Sequence, residues 1–178
     1  RGQMGTIWDS ENSKNLMFSV FKDISRFHME YPFLISMVTS MAVLKALQSF
    51  SISRLSIKWP NDILSENKKI CGILIENVIK HNSLNNTIIG VGLNVNQTEF
   101  PDLPKASSMK LIAGHVFDCD EVLFEIIKNL KYYFGILVVG DYNGLKEDYE
   151  TCLFRKDKPS TFKNANGVAF SGYIKSVS

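Results

Sequence analysis

The chain has 178 residues, 45% of them hydrophobic and 21% charged, and its 20 basic residues against 18 acidic ones leave a formal charge of +2. That length supports one substantial core with room for a small appended unit. The near balance of charge excludes a global polyanion-binding surface, so any basic site must be local. From the N-terminus, NLMFSVF (15–21) reads as a buried strand. YPFLISMVTSMAVLKALQSF (31–50) reads as a helix with Pro32 near its first turn, and Leu34, Met37, Met41, Leu44 and Leu47 fall on one face at helical spacing. LSIKW (55–59) is a short strand that stops at Pro60, and ILSENKKI (63–70) reads as a hairpin with Ser65, Glu66 and Asn67 at its tip. ICGILIENVI (70–79) and TIIGVGLNVN (87–96) are expected as long neighbouring strands joined by the polar loop KHNSLNN. Asp118 and Glu121 form a capping-box-like start to a second helix that carries Val122, Ile126, Leu130 and Phe134 inward. Beyond NGLKEDYETCLF the pattern changes to short alternating runs around Asn166-Gly167, a strong hairpin signal. Mixed helices and hairpin-linked strands predict an α/β (α+β) domain with a mixed, largely antiparallel sheet over residues 1–154, and the beginning of a small β unit over 155–178.

Three widely spaced cysteines, Cys71, Cys119 and Cys152, argue against a disulfide framework and fit a reducing, cytoplasmic compartment. His28, His81 and His115 are equally scattered, and none makes a metal-type spacing with a cysteine. There is neither an apolar run long enough to span a bilayer nor a signal-peptide pattern, so no membrane partner is expected. The chain opens on RGQMG and closes on GYIKSVS within a strand-like pattern, and it reads as a fragment of a longer protein.

The strand 88–96 is the most informative. One face presents Ile89, Val91, Leu93 and Val95; the other presents Gly90, Gly92, Asn94 and Asn96. Interior strand glycines forgo packing and cost entropy, so two on one face mean either a ligand lying flat on the backbone or, more plainly, close helix packing or a bulge. Lys58, Asn61 and Asp62 flank Pro60, a set that suits a phosphate with bound Mg²⁺ or simply a polar turn. Of Lys68 and Lys69, strand alternation sends one to solvent and lets the other point inward. RGQMGTIW is a glycine-spaced loop in which Gly2 and Gly5 would let backbone N–H groups approach an anion beside Arg1. Neither a Walker A loop nor a complete dinucleotide fingerprint is present.

Together these segments resemble the biotin protein ligase family. RGQMGTIW is similar to the latter part of its Gly-Arg-Gly loop, KWPND to its most recognisable pentapeptide, KKICGILIE to its Lys-φ-x-Gly-Ile-Leu-φ-Glu strand (φ being apolar), and IIGVGLNVN to its Gly-φ-Gly-φ-Asn strand. FPDLPKASSM resembles the segment that follows, the order is the family's, and the likeness covers nearly the whole chain. The resemblance implies a catalytic domain related in fold to class II aminoacyl-tRNA synthetases, followed by a small SH3-like barrel. It implies joining of biotin to ATP with Mg²⁺, giving biotinyl adenylate, and transfer of biotin to one lysine of the carrier domain of a biotin-dependent carboxylase.

By resemblance, Lys69 is the central catalytic cation and Arg1 shares that role. Arg1, Gly2 and Gln3, with Lys69, Gly72 and Gly90, would contact biotin. Trp8, Lys58, Asn61, Asp62, Gly92 and Asn94 would serve ATP, with Asp62 on Mg²⁺ beside the phosphates. Gln3 stands where many relatives carry arginine and Met4 where several carry a second basic residue, a departure that bears on retention of the adenylate. The family's biotin-recognition segment is expected upstream of residue 1 and the rest of the barrel beyond residue 178. Relatives dimerise through the sheet, which leaves a homodimer open, though the sequence does not reveal one. Some carry an N-terminal helix-turn-helix, so nucleic acid is a partner only if one lies upstream. A lipoate ligase-like enzyme, and a non-catalytic biotin-sensing transcriptional regulator, are the alternative readings.

Overall fold

The structure, a computed structural model, describes residues 8, 10–25, 27, 32–80, 83–164 and 166–177. Its elements run β1 (Leu16–Asp23), α1 (Phe33–Ser49), β2 (Leu55–Lys58), β3 (Asp62–Ser65), β4 (Lys68–Lys80), β5 (Ser83–Leu93), α2 (Met109–Ala113), α3 (Cys119–Val139), α4 (Tyr142–Thr151), β6 (Ser160–Lys163) and β7 (Ala169–Gly172). The first five strands form one sheet in the order β1-β5-β4-β3-β2, and every neighbouring pair is antiparallel.

Alternation sets the two faces of that sheet. Ile89, Val91 and Leu93 of β5 are buried, as are Cys71 and Ile73 of β4, and this face packs on α1. The helix lies between the sheet and α3 with α4, so its burial goes well beyond the single stripe that its spacing suggests: Ile35, Val38, Ala42, Val43 and Ala46 are buried along with Leu34, Met37, Met41, Leu44 and Leu47. A helix in a middle layer has two partners and needs apolar residues all round. Helix α3 covers the next layer with Val122, Ile126, Leu130 and Phe134, joined by Tyr133 and Leu137. Its first turn is capped by the Asp118 carboxylate, which accepts from the N–H groups of Asp120 at 2.7 Å and Glu121 at 3.2 Å. Gly140, at φ 82°, ends it in the left-handed conformation.

Four expectations need correction. The strand at 15–21 is not buried: along β1 half-buried Leu16, Phe18 and Val20 alternate with exposed Met17, Ser19 and Phe21. The segment 80–86 is not simply a polar loop: β4 runs to Lys80 and β5 begins at Ser83, because the ribbon's backbone pairing outweighs the polar composition. The far end of β5 is shorter than expected, stopping at Leu93, so Asn94 and Asn96 lie beyond the ladder. The hairpin tip tightens to Glu66-Asn67, with Glu66 at φ 57°. Helices α2 and α4 are additions to the expected elements.

The register of β4 carries a β-bulge. Ile63 pairs with Cys71 but Leu64 pairs with Lys69, so Ile70 is the extra residue. Residues 160–172 form a separate two-stranded hairpin, β6 with β7, in which Phe162 stacks on Phe170. Among the described residues, no helix is long and apolar enough to cross a membrane.

Candidate functional site

The outer face of the sheet, away from α1, holds a groove of about 790 Å³. Its floor is made by glycine. Gly72 of β4 and Gly92 of β5 are directly opposite each other in the ladder, and Gly90 lies one pleat further along the same face of β5. A Cβ added at Gly92 would come within 2.8 Å of Trp8 Cε2, and one at Gly72 within 2.8 Å of Trp8 Cζ3. The indole of Trp8 therefore lies flat across the pair, at a distance only glycine allows. Of the readings of the glycine face, neither helix packing nor a bulge accounts for Gly72 and Gly92 here; the chain's own Trp8 ring does. At Gly90 a Cβ would meet only ordinary contacts, at 3.5 Å from the Leu74 carbonyl oxygen. Trp8 Nε1 is buried and donates to no acceptor among the described residues.

Lys69 is carried into this groove by the bulge. Counting back from Gly72 by strict alternation puts Ile70 on the groove face and Lys69 on the core face. The extra residue reverses that phase: Ile70 is buried in the core, and Lys69 turns to the groove beside Gly72. Its Nζ lies 2.6 Å from Asp62 Oδ1 and 5.4 Å from the centroid of the Trp8 ring. The ammonium thus sits between a carboxylate and an aromatic face, with 38% of its side chain still open to solvent. Its backbone is held as well: the Lys69 N–H donates to the Lys105 carbonyl at 2.7 Å and its own carbonyl accepts from Ser107 N–H at 2.9 Å. Lys68, its neighbour, is exposed.

The KWPND turn supplies the groove's polar wall. The Trp59-Pro60 peptide is cis. Asn61 grips β4 twice, its Nδ2 donating to the Ile73 carbonyl and its carbonyl accepting from Ile73 N–H, each at 2.9 Å. That grip brings Asp62 opposite Gly72 in the ladder and within reach of Lys69. Lys58 is exposed, stands opposite Asp62 across β2 and β3, and is not part of the groove lining.

Asn94, almost fully buried, donates through Nδ2 to the Ser107 carbonyl at 2.9 Å, while its Oδ1 meets no donor among the described residues and remains an acceptor at the groove. Asn96 does not share that face. It brackets Phe117 instead, with Nδ2 donating to the Phe117 carbonyl at 2.8 Å and Oδ1 accepting from its N–H at 2.9 Å.

The structure therefore gathers Trp8, Asn61, Asp62, Lys69, Gly72, Gly90, Gly92 and Asn94 around one groove. Arg1, Gly2 and Gln3, together with Met4 and Gly5, lie outside the described residues. Several lining residues escaped the motif reading: Met17 and Ser19 of β1, opposite Gly92 and Gly90, and Leu103, Lys105 and Ala106 at the lip. Their signal was indirect, in the alternation of β1 and in the FPDLPKASSM segment whose backbone pairs with Lys69. Cys71 lies beneath the floor on the core side, and burial pushes its thiol up, against the pull of nearby Lys69.

Residues 1–94 match the profile of the Biotin/lipoate A/B protein ligase family. Over 131 residues the chain is 33% identical to the "Bifunctional ligase/repressor BirA" of Bacillus subtilis, covering 71% of this chain and 40% of that protein. It is 27% identical over 197 residues to "Biotin--protein ligase 2" of Arabidopsis thaliana, covering 99% of this chain and 58% of that one. The chain thus spans roughly two fifths to three fifths of these relatives' lengths. Among solved structures, the biotin protein ligase of Aquifex aeolicus in complex with biotin and ATP superimposes with a TM-score of 0.84 at 25% identity, over 100% of this chain and 73% of that one.

Proposed function

Because the chain belongs to the biotin/lipoate A/B protein ligase family, we infer that its groove is the adenylation site of a biotin protein ligase. The observation that carries this reading is the placement of Lys69, an ammonium held between Asp62 and the Trp8 ring over a glycine floor. A groove of about 790 Å³ is within the size range of small-molecule sites, and two-ended apolar and polar walls suit a ligand with both characters.

In the first reaction the biotin carboxylate attacks the α-phosphorus of ATP. A carboxyl–phosphate bond forms, the bond to the β-phosphate oxygen breaks, and pyrophosphate leaves. Two anions must meet, and Lys69 is a cation already in place to offset their repulsion. Asp62 keeps that ammonium aimed into the groove. Trp8 offers an aromatic wall for the adenine, and Asn94 Oδ1 an acceptor for its amino group. In the second reaction the ε-amine of a carrier-domain lysine attacks the activated carbonyl carbon; an amide forms and AMP leaves. The nucleophile comes from the partner, so this step rests on positioning.

Mg²⁺ is consistent with the donors present. Among the described residues no three His, Cys, Asp or Glu side chains converge as a metal cage. Asp62 alone would hold it, together with phosphate oxygens, which is how this ion commonly binds beside nucleotides. Bound there, it neutralises phosphate charge. Arg1, Gly2 and Gln3 complete the biotin end of the site in this reading, and Lys58 acts on the phosphates only from outside the groove. The partner is the biotin carrier domain of a carboxylase, in the cytoplasm. Residues 155–178 begin a second, small β unit, supported by the separate β6–β7 hairpin. Homodimerisation and any DNA contact through an upstream segment belong to the whole protein.

The deciding experiment is mass-spectrometric detection of the adenylate after incubation of the full-length protein with Mg-ATP and either biotin or lipoate. Biotinyl adenylate alone supports the reading, lipoyl adenylate alone moves the chain to the other branch of the family, and neither product from folded protein favours the non-catalytic regulator.

A further inference from the structure

Two residues after Trp8 the chain enters a dense polar knot. Gln97, only 3% exposed, accepts through Oε1 from Asn15 Nδ2 at 2.5 Å and from Glu11 N–H at 3.2 Å, and donates through Nε2 to the Glu99 carbonyl at 2.7 Å. Asn15 also donates to Ser10 Oγ at 3.2 Å, and its Oδ1 accepts from Val95 N–H at 3.0 Å. The Asn96 N–H donates to the Lys14 carbonyl at 2.7 Å. The 10–15 turn is thereby stitched to residues 95–99, immediately after the strand that bears Gly90 and Gly92. A buried primary amide satisfied at both ends has one orientation, since reversing it would set donor against donor.

We propose that Gln97, acting with Asn15, is a positioning residue for the nucleotide: it fixes the anchor from which Trp8 reaches the Gly72–Gly92 floor. Consecutive Cα atoms are about 3.8 Å apart, so Trp8 is tethered within about 7.6 Å of Ser10. Over so short a span, an anchored Ser10 leaves the indole little choice of position. A loosened Ser10 lets it leave the floor. Gln97 lies outside the groove lining, so it acts on the nucleotide indirectly, through the anchor of Trp8.

The test uses the 178-residue chain carrying Trp59→Phe, which leaves Trp8 as its single tryptophan. Gln97→Met, of similar volume but without the amide, is compared with its parent by acrylamide quenching of Trp8 without substrates. The quenching constant is expected to rise several-fold while far-UV circular dichroism is unchanged. Under the biotin-ligase reading, on which this second arm rests, Gln97→Met in the full-length protein raises KM for ATP several-fold while kcat moves by less than about twofold. If Gln97→Met does not fold, Asn15→Ala cuts the same knot nearer the surface and is read in the same way. Unchanged quenching in a folded variant overturns the proposal, as does a fall in kcat with KM unmoved. Absence of adenylate from the unmutated full-length protein would instead overturn the functional reading, leaving the quenching result to decide this one.

Discussion

Replacing Lys69 with methionine removes the charge and keeps the aliphatic stem that lies beside Gly72 and Trp8. An ammonium about 4 Å from an anionic oxygen interacts by about 4 kcal/mol at an effective dielectric of about 20. The Lys69 side chain is 38% exposed, and solvent screening lowers that to roughly 2 kcal/mol at the lower limit. At 1.36 kcal/mol per decade, the rate of biotinyl adenylate formation should fall between about 30-fold and about 10³-fold. The folded protein should barely notice, because a partly exposed ion pair contributes about 0–1 kcal/mol. The assay is a rapid-quench time course of adenylate and pyrophosphate at saturating ATP, paired with urea unfolding of both proteins. The variant also strands the Asp62 carboxylate, previously 2.6 Å from Nζ, facing incoming phosphates. Adding Asp62→Asn to Lys69→Met should therefore recover part of the loss. A single variant that makes adenylate within about threefold of the parent rate would refute the electrostatic argument, since that difference is below about 0.7 kcal/mol.

Gly92→Ala should displace the indole, because the new Cβ would lie 2.8 Å from Trp8 Cε2 and 2.9 Å from Cδ2; the expected result is a red-shifted Trp8 emission in the Trp59→Phe background and about tenfold weaker ATP binding by titration calorimetry. Asp118→Ala removes the cap of α3 and should lower stability by about 1 kcal/mol in urea, with adenylate formation unaltered. Burial raises the Cys71 thiol well above its ordinary range, so at pH 8 it stays protonated and iodoacetamide should modify it only after unfolding; peptide mapping that finds Cys71 alkylated in native protein would contradict its place beneath the floor.

Much of the sheet was legible because alternation is a direct consequence of the pleat. Ile89, Val91 and Leu93 could be assigned to the core and Gly90 and Gly92 to the opposite face from spacing alone, and the structure places them so. Membership of the family was legible too, through motifs in a fixed order. What occupies the glycines was not legible, since the sequence separates Trp8 from Gly72 and Gly92 by most of the sheet. The groove-ward turn of Lys69 was likewise hidden: it depends on one extra residue in β4, and no residue type marks Ile70 as the bulge. Helix α1 showed only one face by periodicity, because burial between two layers erases the polar stripe that makes a helix readable. Gln97 carried no signal whatever, being one amide in a polar loop until the fold brings Asn15 to it.

Both main-chain groups of Lys69 are committed to the lip segment, through Lys105 and Ser107. In hydrogen-exchange terms, the amide protons of Lys69 and Ser107 belong to one opening unit, because separating the lip from β4 breaks both bonds at once. They should exchange at a common rate, set by detachment of residues 105–107, while the amide of Ile89 deep in the sheet waits for global unfolding. The cation that defines the groove thus stands at a seam between a locally opening segment and the most protected part of the molecule.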